Sequence, residues 1–168
     1  DAQYADVEAE NTRFYRASIG KLGNAVEQFN RQELAACFHL GDLIDRDWRS
    51  YDAILKPLAA SRHRFHHLLG NHDFDVAAEY KNRVPERLGL TRRYSHLDLP
   101  GFRLVMLDTN DVSTYARLPG TPEHAAATAA LQQAKDAKLP QAQPWNGGLG
   151  PEQLQWFDRT CTAAATQQ

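Results

Sequence analysis

Two short apolar runs, residues 34–40 and 62–69, each end in a glycine followed by a polar cluster. The first cluster is Gly41-Asp42-Leu43-Ile44-Asp45 and the second is Gly70-Asn71-His72-Asp73. Between them, residues 48–59 carry apolar side chains at helical spacing, with Pro57 disturbing the last turns. Strand, helix, strand, with glycine and polar residues at each strand exit, describes a parallel βαβ unit. A parallel pair needs a crossover of about a dozen residues or more, and the interval from Asp42 to Asn71 supplies it. Polar groups at the carboxyl ends of such strands face a common crevice, which is where α/β folds bind ligands.

The remaining segments fit around that unit. Phe14, Ile19, Leu22, Val26 and Phe29 recur at three- and four-residue steps, predicting a helix over 11–30 with Asn11 or Thr12 as its cap and Phe14 in the core. Residues 93–99 and 102–107 flank Pro100-Gly101 and read as an antiparallel hairpin closed by Asp108. An alanine-rich helix is expected over 122–138. A linker rich in Pro, Gly and Gln then leads to Gly150, and a helix starts at Pro151 and runs to 161. The final residues, 163–168, carry no stop signal and no strand follows them. A chain of 168 residues with 42% hydrophobic content suits one domain, 1–168.

Charge and cysteine content narrow the function classes. The net charge is −2 and no block of like charges occurs, so a nucleic-acid polymer is not the expected partner. Cys37 and Cys161 form neither a disulfide framework nor a zinc-knuckle spacing. No run approaches the roughly 20 apolar residues of a membrane span and no signal peptide is visible, so the expected setting is the cytoplasm. Nothing resembles a sustained coiled-coil seam, which leaves a monomer as the default.

The two clusters carry the chemistry. A carboxylate at Asp42 can bridge two divalent ions about 3.5–4 Å apart, which clamp the attacking and leaving oxygens of a phosphoryl group. The Asn71 amide oxygen is a neutral hard ligand, His72 can give a proton to a leaving alkoxide, and Asp73 can orient that imidazole. The bland alternatives are a helix N-cap for Asp42 and a plain turn at Gly70-Asn71. Two such clusters at successive strand ends favour the metal reading.

These residues resemble the calcineurin-like metallophosphoesterase superfamily. Asp1-Ala2-Gln3-Tyr4-Ala5-Asp6, Arg13-Phe14-Tyr15-Arg16-Ala17-Ser18, His39-Leu40-Gly41-Asp42-Leu43-Ile44-Asp45, Asn146-Gly147-Gly148-Leu149 and Glu152-Gln153-Leu154-Gln155-Trp156 look most like its manganese-dependent ADP-ribose/CDP-alcohol diphosphatase branch. The resemblance implies a four-layer α/β/β/α sandwich, of which this chain looks like the N-terminal half. It implies two divalent ions, manganese foremost with iron, magnesium or zinc as alternatives. Asp1, Gln3 and Asp42 would hold the first ion and Asp42 with Asn71 the second. His72 and Asp73 would be catalytic, and Asp45 a structural acceptor that fixes its loop. Tyr4, Arg16, Gly147 and Gly148 would contact the substrate, a small nucleotide or phosphodiester hydrolysed by a metal-activated hydroxide. His63, His66 and His67 read as packing or surface residues, and His39 as a buried strand residue.

The chain departs from the superfamily pattern in two ways. Glutamine stands at position 3 where most members have histidine, and no histidine follows His124, so the later histidine motifs are absent. The expectation is therefore an internal segment of a longer protein, inactive alone. A broad phosphomonoesterase or cyclic-nucleotide phosphodiesterase on the same scaffold is the alternative within the enzyme class. A catalytically silent binding scaffold is the alternative outside it.

Overall fold

The structure, a computed structural model, describes residues 1–165, so the last three residues of the terminal stretch lie outside it. The chain forms two compact units, residues 1–90 and Thr91 onward.

In the first unit, α1 (Ala17–Asn30), β1 (Cys37–His39), α2 (Ser50–Ala59) and β2 (Phe65–His67) make the expected βαβ arrangement. The two strands pair in parallel, with Cys37 opposite Phe65 and His39 opposite His67. A third parallel contact follows, because Tyr4 bridges to Ile44. Gln3 N donates to the Asp42 carbonyl at 2.9 Å and Asp45 N to the Tyr4 carbonyl at 2.8 Å. The Asp1–Tyr4 segment is thereby laid alongside the loop that leaves β1. Helix α1 packs on α2, burying Val26, Ile54 and Leu58. Each such burial contributes about 1.5–3 kcal/mol.

Helix α1 begins later than its apolar spacing predicts. Glu10 and Arg13 exchange both backbone hydrogen bonds, at 3.1 and 2.9 Å, across a tight turn in which Asn11 adopts φ +53°. Asparagine tolerates that left-handed geometry, so Asn11 makes a turn and does not cap a helix. Phe14 falls ahead of the helix and is 61% exposed, while Tyr15 is buried in its place. The expectation of a core Phe14 is corrected accordingly. Three short elements were not expected: a 3-10 turn at His72–Phe74, α3 (Ala78–Lys81) and α4 (Val84–Arg87).

In the second unit, β3 (Ser95–Leu99) and β4 (Phe102–Met106) form the hairpin, with Leu99 opposite Phe102 and Gly101 at φ +79°. Helix α5 (Pro122–Asp136) starts with Thr121, whose hydroxyl accepts from His124 N at 3.2 Å. Helix α6 (Pro151–Ala165) is anchored by Gln153, which is wholly buried. Its amide accepts from Asp108 N at 2.8 Å and donates to the Asp108 carbonyl at 3.0 Å. Asp108 is a buried strand-end group ion-paired with Arg93 at 2.6 Å. Among the described residues no helix is long and apolar enough to cross a membrane.

Candidate metal centre and active site

The two glycine-led clusters meet, and the glycines are the reason they can. A Cβ on Gly70 would lie 2.0 Å from Asp42 Oδ1 and 2.4 Å from Asp42 N, and one on Gly41 would lie 2.6 Å from Gly70 N. Any side chain at either position would drive the loops apart. Asp42 takes φ +54° at the crossing, a conformation that aspartate tolerates better than most residues.

Asp73 fastens this crossing. Its side chain is fully buried, one oxygen accepting from the amides of Asp42 and Gly70, both at 2.9 Å, and the other from Leu43 N at 3.0 Å. The Tyr51 hydroxyl adds a fourth donor at 3.2 Å. Burial pushes the Asp73 carboxyl up to about 6, with the Gly70 and Leu43 amides pulling against it, so it is ionised at neutral pH and serves as an acceptor. Burial raises the Tyr51 hydroxyl and Asp73 reinforces the shift, so Tyr51 keeps its proton and donates.

His72 is oriented by a different carboxylate from the one its sequence neighbour suggested. Its Nδ1 lies 3.1 Å from Asp45 Oδ1, and its backbone N donates to Asp42 Oδ1 at 2.9 Å. The expected roles of the two aspartates are thus exchanged: Asp73 fixes the loops and Asp45 holds the imidazole. Asp73 cannot serve both purposes, because its oxygens already collect backbone donors from two strand exits. Asp45 is almost wholly buried and also meets Arg13 Nη1 at 3.3 Å through Oδ2, with Arg46 Nε 3.7 Å from Oδ1. Arg46 Nη2 in turn donates to the Tyr15 hydroxyl at 3.0 Å. The G-D-x-x-D spacing was the available signal for Asp45, which it places one short step beyond Asp42 on the same strand exit.

The expected ligands are hard oxygen donors, carboxylates at Asp1 and Asp42 and amide oxygens at Gln3 and Asn71, which suits manganese or magnesium. The glycine crossing brings Asp42 to the Gly70-Asn71 exit, and the backbone bond to Asp42 brings Gln3 beside them. Asp1 is exposed. A separate group of three potential ligands, Asp45, His72 and Asp75, also converges, with one ligand atom of each within 4.8 Å of the others.

The residues expected to contact substrate are each engaged within their own unit. Tyr4 is 8% exposed and belongs to the core. Arg16 is on the surface and is already paired with Asp6 at 2.6 Å and with Glu8. In the second unit, a Cβ on Gly147 would lie 2.1 Å from the Thr109 carbonyl, so close packing against its own unit requires that glycine. Gly148 exchanges backbone bonds with Val112 at 2.9 and 3.0 Å. Both glycines line a 140 Å³ cavity with Val112, Ala127, Leu131 and Asn146.

This mixed α/β chain, with its paired strand-end clusters, belongs to the calcineurin-like phosphoesterase family, whose model matches residues 15–165. Its fold is that of a crystallised dimetal phosphatase from Danio rerio, with a TM-score of 0.78 and 28% identity over 97% of this chain and 63% of that one. Among curated proteins, a manganese-dependent ADP-ribose/CDP-alcohol diphosphatase from Danio rerio is 30% identical over the whole chain and 65% of its own length. The human protein of that name is 27% identical, covered over 61% of its length, and the Arabidopsis thaliana one 29% identical, covered over 59%. The chain therefore spans about three-fifths of the length of these relatives.

Proposed function

We propose that the protein is a metal-dependent hydrolase of phosphoric anhydride bonds, acting on nucleoside-diphosphate-linked compounds of the ADP-ribose or CDP-alcohol type. One observation carries this reading: the His72 imidazole is held by Asp45 on one side, while its backbone is tied to the strand-end carboxylate of Asp42. A proton-transferring group and a metal-binding group are thus locked in a single geometry. Relatives named for that activity, aligned along the whole chain, support the substrate class.

Asp1, Gln3, Asp42 and Asn71 would hold two divalent ions, manganese in the first instance. Such a pair supplies charge neutralisation at the phosphoryl oxygens and an activated water. With Nδ1 committed to Asp45, His72 has Nε2 left for proton transfer to the departing oxygen. Arg13 and Arg46 flank the buried Asp45 side chain, at 3.3 and 3.7 Å. Asp73 performs no chemistry; it keeps the two loops in register.

Both units belong, on this reading, to one metallophosphoesterase domain, since the family match runs from 15 to 165. The protein is taken as a cytoplasmic monomer working on a small molecule, in line with its balanced charge.

The test is hydrolysis of ADP-ribose, CDP-choline, a phosphomonoester and a cyclic nucleotide by the full-length protein with added manganese. ADP-ribose or CDP-choline should be preferred, and Asp42→Asn should reduce turnover by about 100-fold or more. Full activity in that variant would refute the two-ion reading. Preference for the phosphomonoester or cyclic nucleotide would move the protein to another branch of the family. Absence of both bound metal and turnover would make it a binding scaffold.

A further inference from the structure

Asp75 has no part in the chemistry proposed above, yet it stands with Asp45 and His72 so that one ligand atom of each lies within 4.8 Å of the other two. Asp45 and His72 are already close to the spacing that a tetrahedral ion imposes. Two ligands about 2.0–2.1 Å from zinc, at the tetrahedral angle, lie roughly 3.3 Å apart. The His72 Nδ1 to Asp45 Oδ1 distance is 3.1 Å. Oδ1 has His72 as its hydrogen-bonding partner, and the Arg13 contact is on Oδ2, so an ion taking Oδ1 leaves that arginine in place. Arg46 Nε, 3.7 Å from Oδ1, is beyond hydrogen-bond distance. Asp75 is exposed, and one of its carboxylate oxygens lies within 4.8 Å of both other ligand atoms.

We propose that Asp45, His72 and Asp75 form an inhibitory site for zinc, separate from the two-ion centre. The ion takes the place of the Nδ1 proton on doubly protonated His72; that proton leaves to solvent, Nε2 keeps its own, and the ion bonds Nδ1, one oxygen of Asp45 and one of Asp75. One imidazole and two carboxylates make a zinc-type ligand set, whereas manganese favours six-coordinate oxygen sites. A ring holding a cation at Nδ1 gives up its remaining Nε2 proton far less readily than an imidazolium does, so zinc disables the proton donor and hydrolysis stops. The inhibitory consequence rests on the role given to His72 above; the binding site itself does not.

Zinc is titrated against the manganese-saturated full-length protein and its Asp75→Asn variant, following hydrolysis and, in parallel, zinc uptake by calorimetry. Turnover without zinc should be the same in both proteins. Zinc should inhibit the unaltered protein, and the variant should need at least about tenfold more zinc, matching weaker uptake in calorimetry. Equal inhibition of both proteins would place zinc at the manganese positions and overturn the proposal. So would the lack of zinc uptake once manganese is saturating. If the protein turned over none of the substrates, calorimetry would still decide the site. Uptake weakened by Asp75→Asn upholds it, and uptake insensitive to that change overturns it.

Discussion

Lowering the pH from 7 to 5 is expected to remove about 4 kcal/mol of stability through His39 and His67 alone. The two imidazoles are neighbours across the parallel pair, with ring centroids 5.7 Å apart. His39 is 9% exposed, and among the described residues neither of its ring nitrogens, nor Nδ1 of His67, has a hydrogen-bond partner. Burial, with His67 as a neighbour, lowers His39 to about 3, and burial lowers His67 to about 4. In the unfolded chain both titrate near 6.5. Below that value the unfolded state binds protons that the folded state refuses, so stability falls as pH falls and is regained as pH rises. At pH 5 each unfolded histidine is almost fully protonated, worth about 2 kcal/mol at 1.36 kcal/mol per unit. The sum is a large share of the roughly 5–15 kcal/mol that holds a domain together. Urea unfolding at pH 7, 6 and 5 measures it, and a His39→Leu, His67→Leu double variant subtracts the carboxylates that titrate in the same range. The difference between the two proteins should shift by about 4 kcal/mol from pH 7 to 5. A difference that stayed constant would refute the claim that these imidazoles are buried and neutral.

Two other substitutions probe the framework. Gly70→Ala should abolish hydrolysis and cost about 1–3 kcal/mol or more, because its Cβ would overlap the backbone and carboxylate of Asp42. Unchanged activity and melting temperature would show that the loops do not cross as described. Gln153→Leu should cost about 1–3 kcal/mol in urea unfolding, since it leaves the Asp108 N–H buried without a partner, while the Asp108 carbonyl keeps the Asp111 N–H. A loss below about 0.5 kcal/mol, the range of ordinary surface changes, would mean that α6 is anchored by other means.

The long elements were legible because each offers a period. Helices α2, α5 and α6 and the hairpin follow their apolar spacing or turn residues, and Pro151 marks a helix start as its chemistry dictates. Helices of four residues, such as α3 and α4, contain barely one turn and present no period to read. The start of α1 was misplaced because asparagine serves equally as a cap and as a left-handed turn residue, and only the Glu10–Arg13 pairing decides. The metal-seeking clusters were visible as strand exits. Which of Asp45 and Asp73 faces His72 was not. Adjacency in sequence favoured Asp73, whereas the 3-10 turn at His72–Phe74 sends neighbouring side chains in different directions and leaves the ring to a residue from the other cluster.

The buried Asp73 carboxylate collects amides from both strand exits, so the two loops share one lock. Opening either loop breaks bonds that also hold the other, and the residual carboxylate would be stranded without donors in a dry interior. Fluctuations that pull the Asp42 loop from Asp73 must therefore loosen the His72 loop in the same event. The site opens whole or stays closed, so its geometry cannot degrade gradually under mild stress. Partly disordered forms that keep one half of the chemistry should be very sparsely populated.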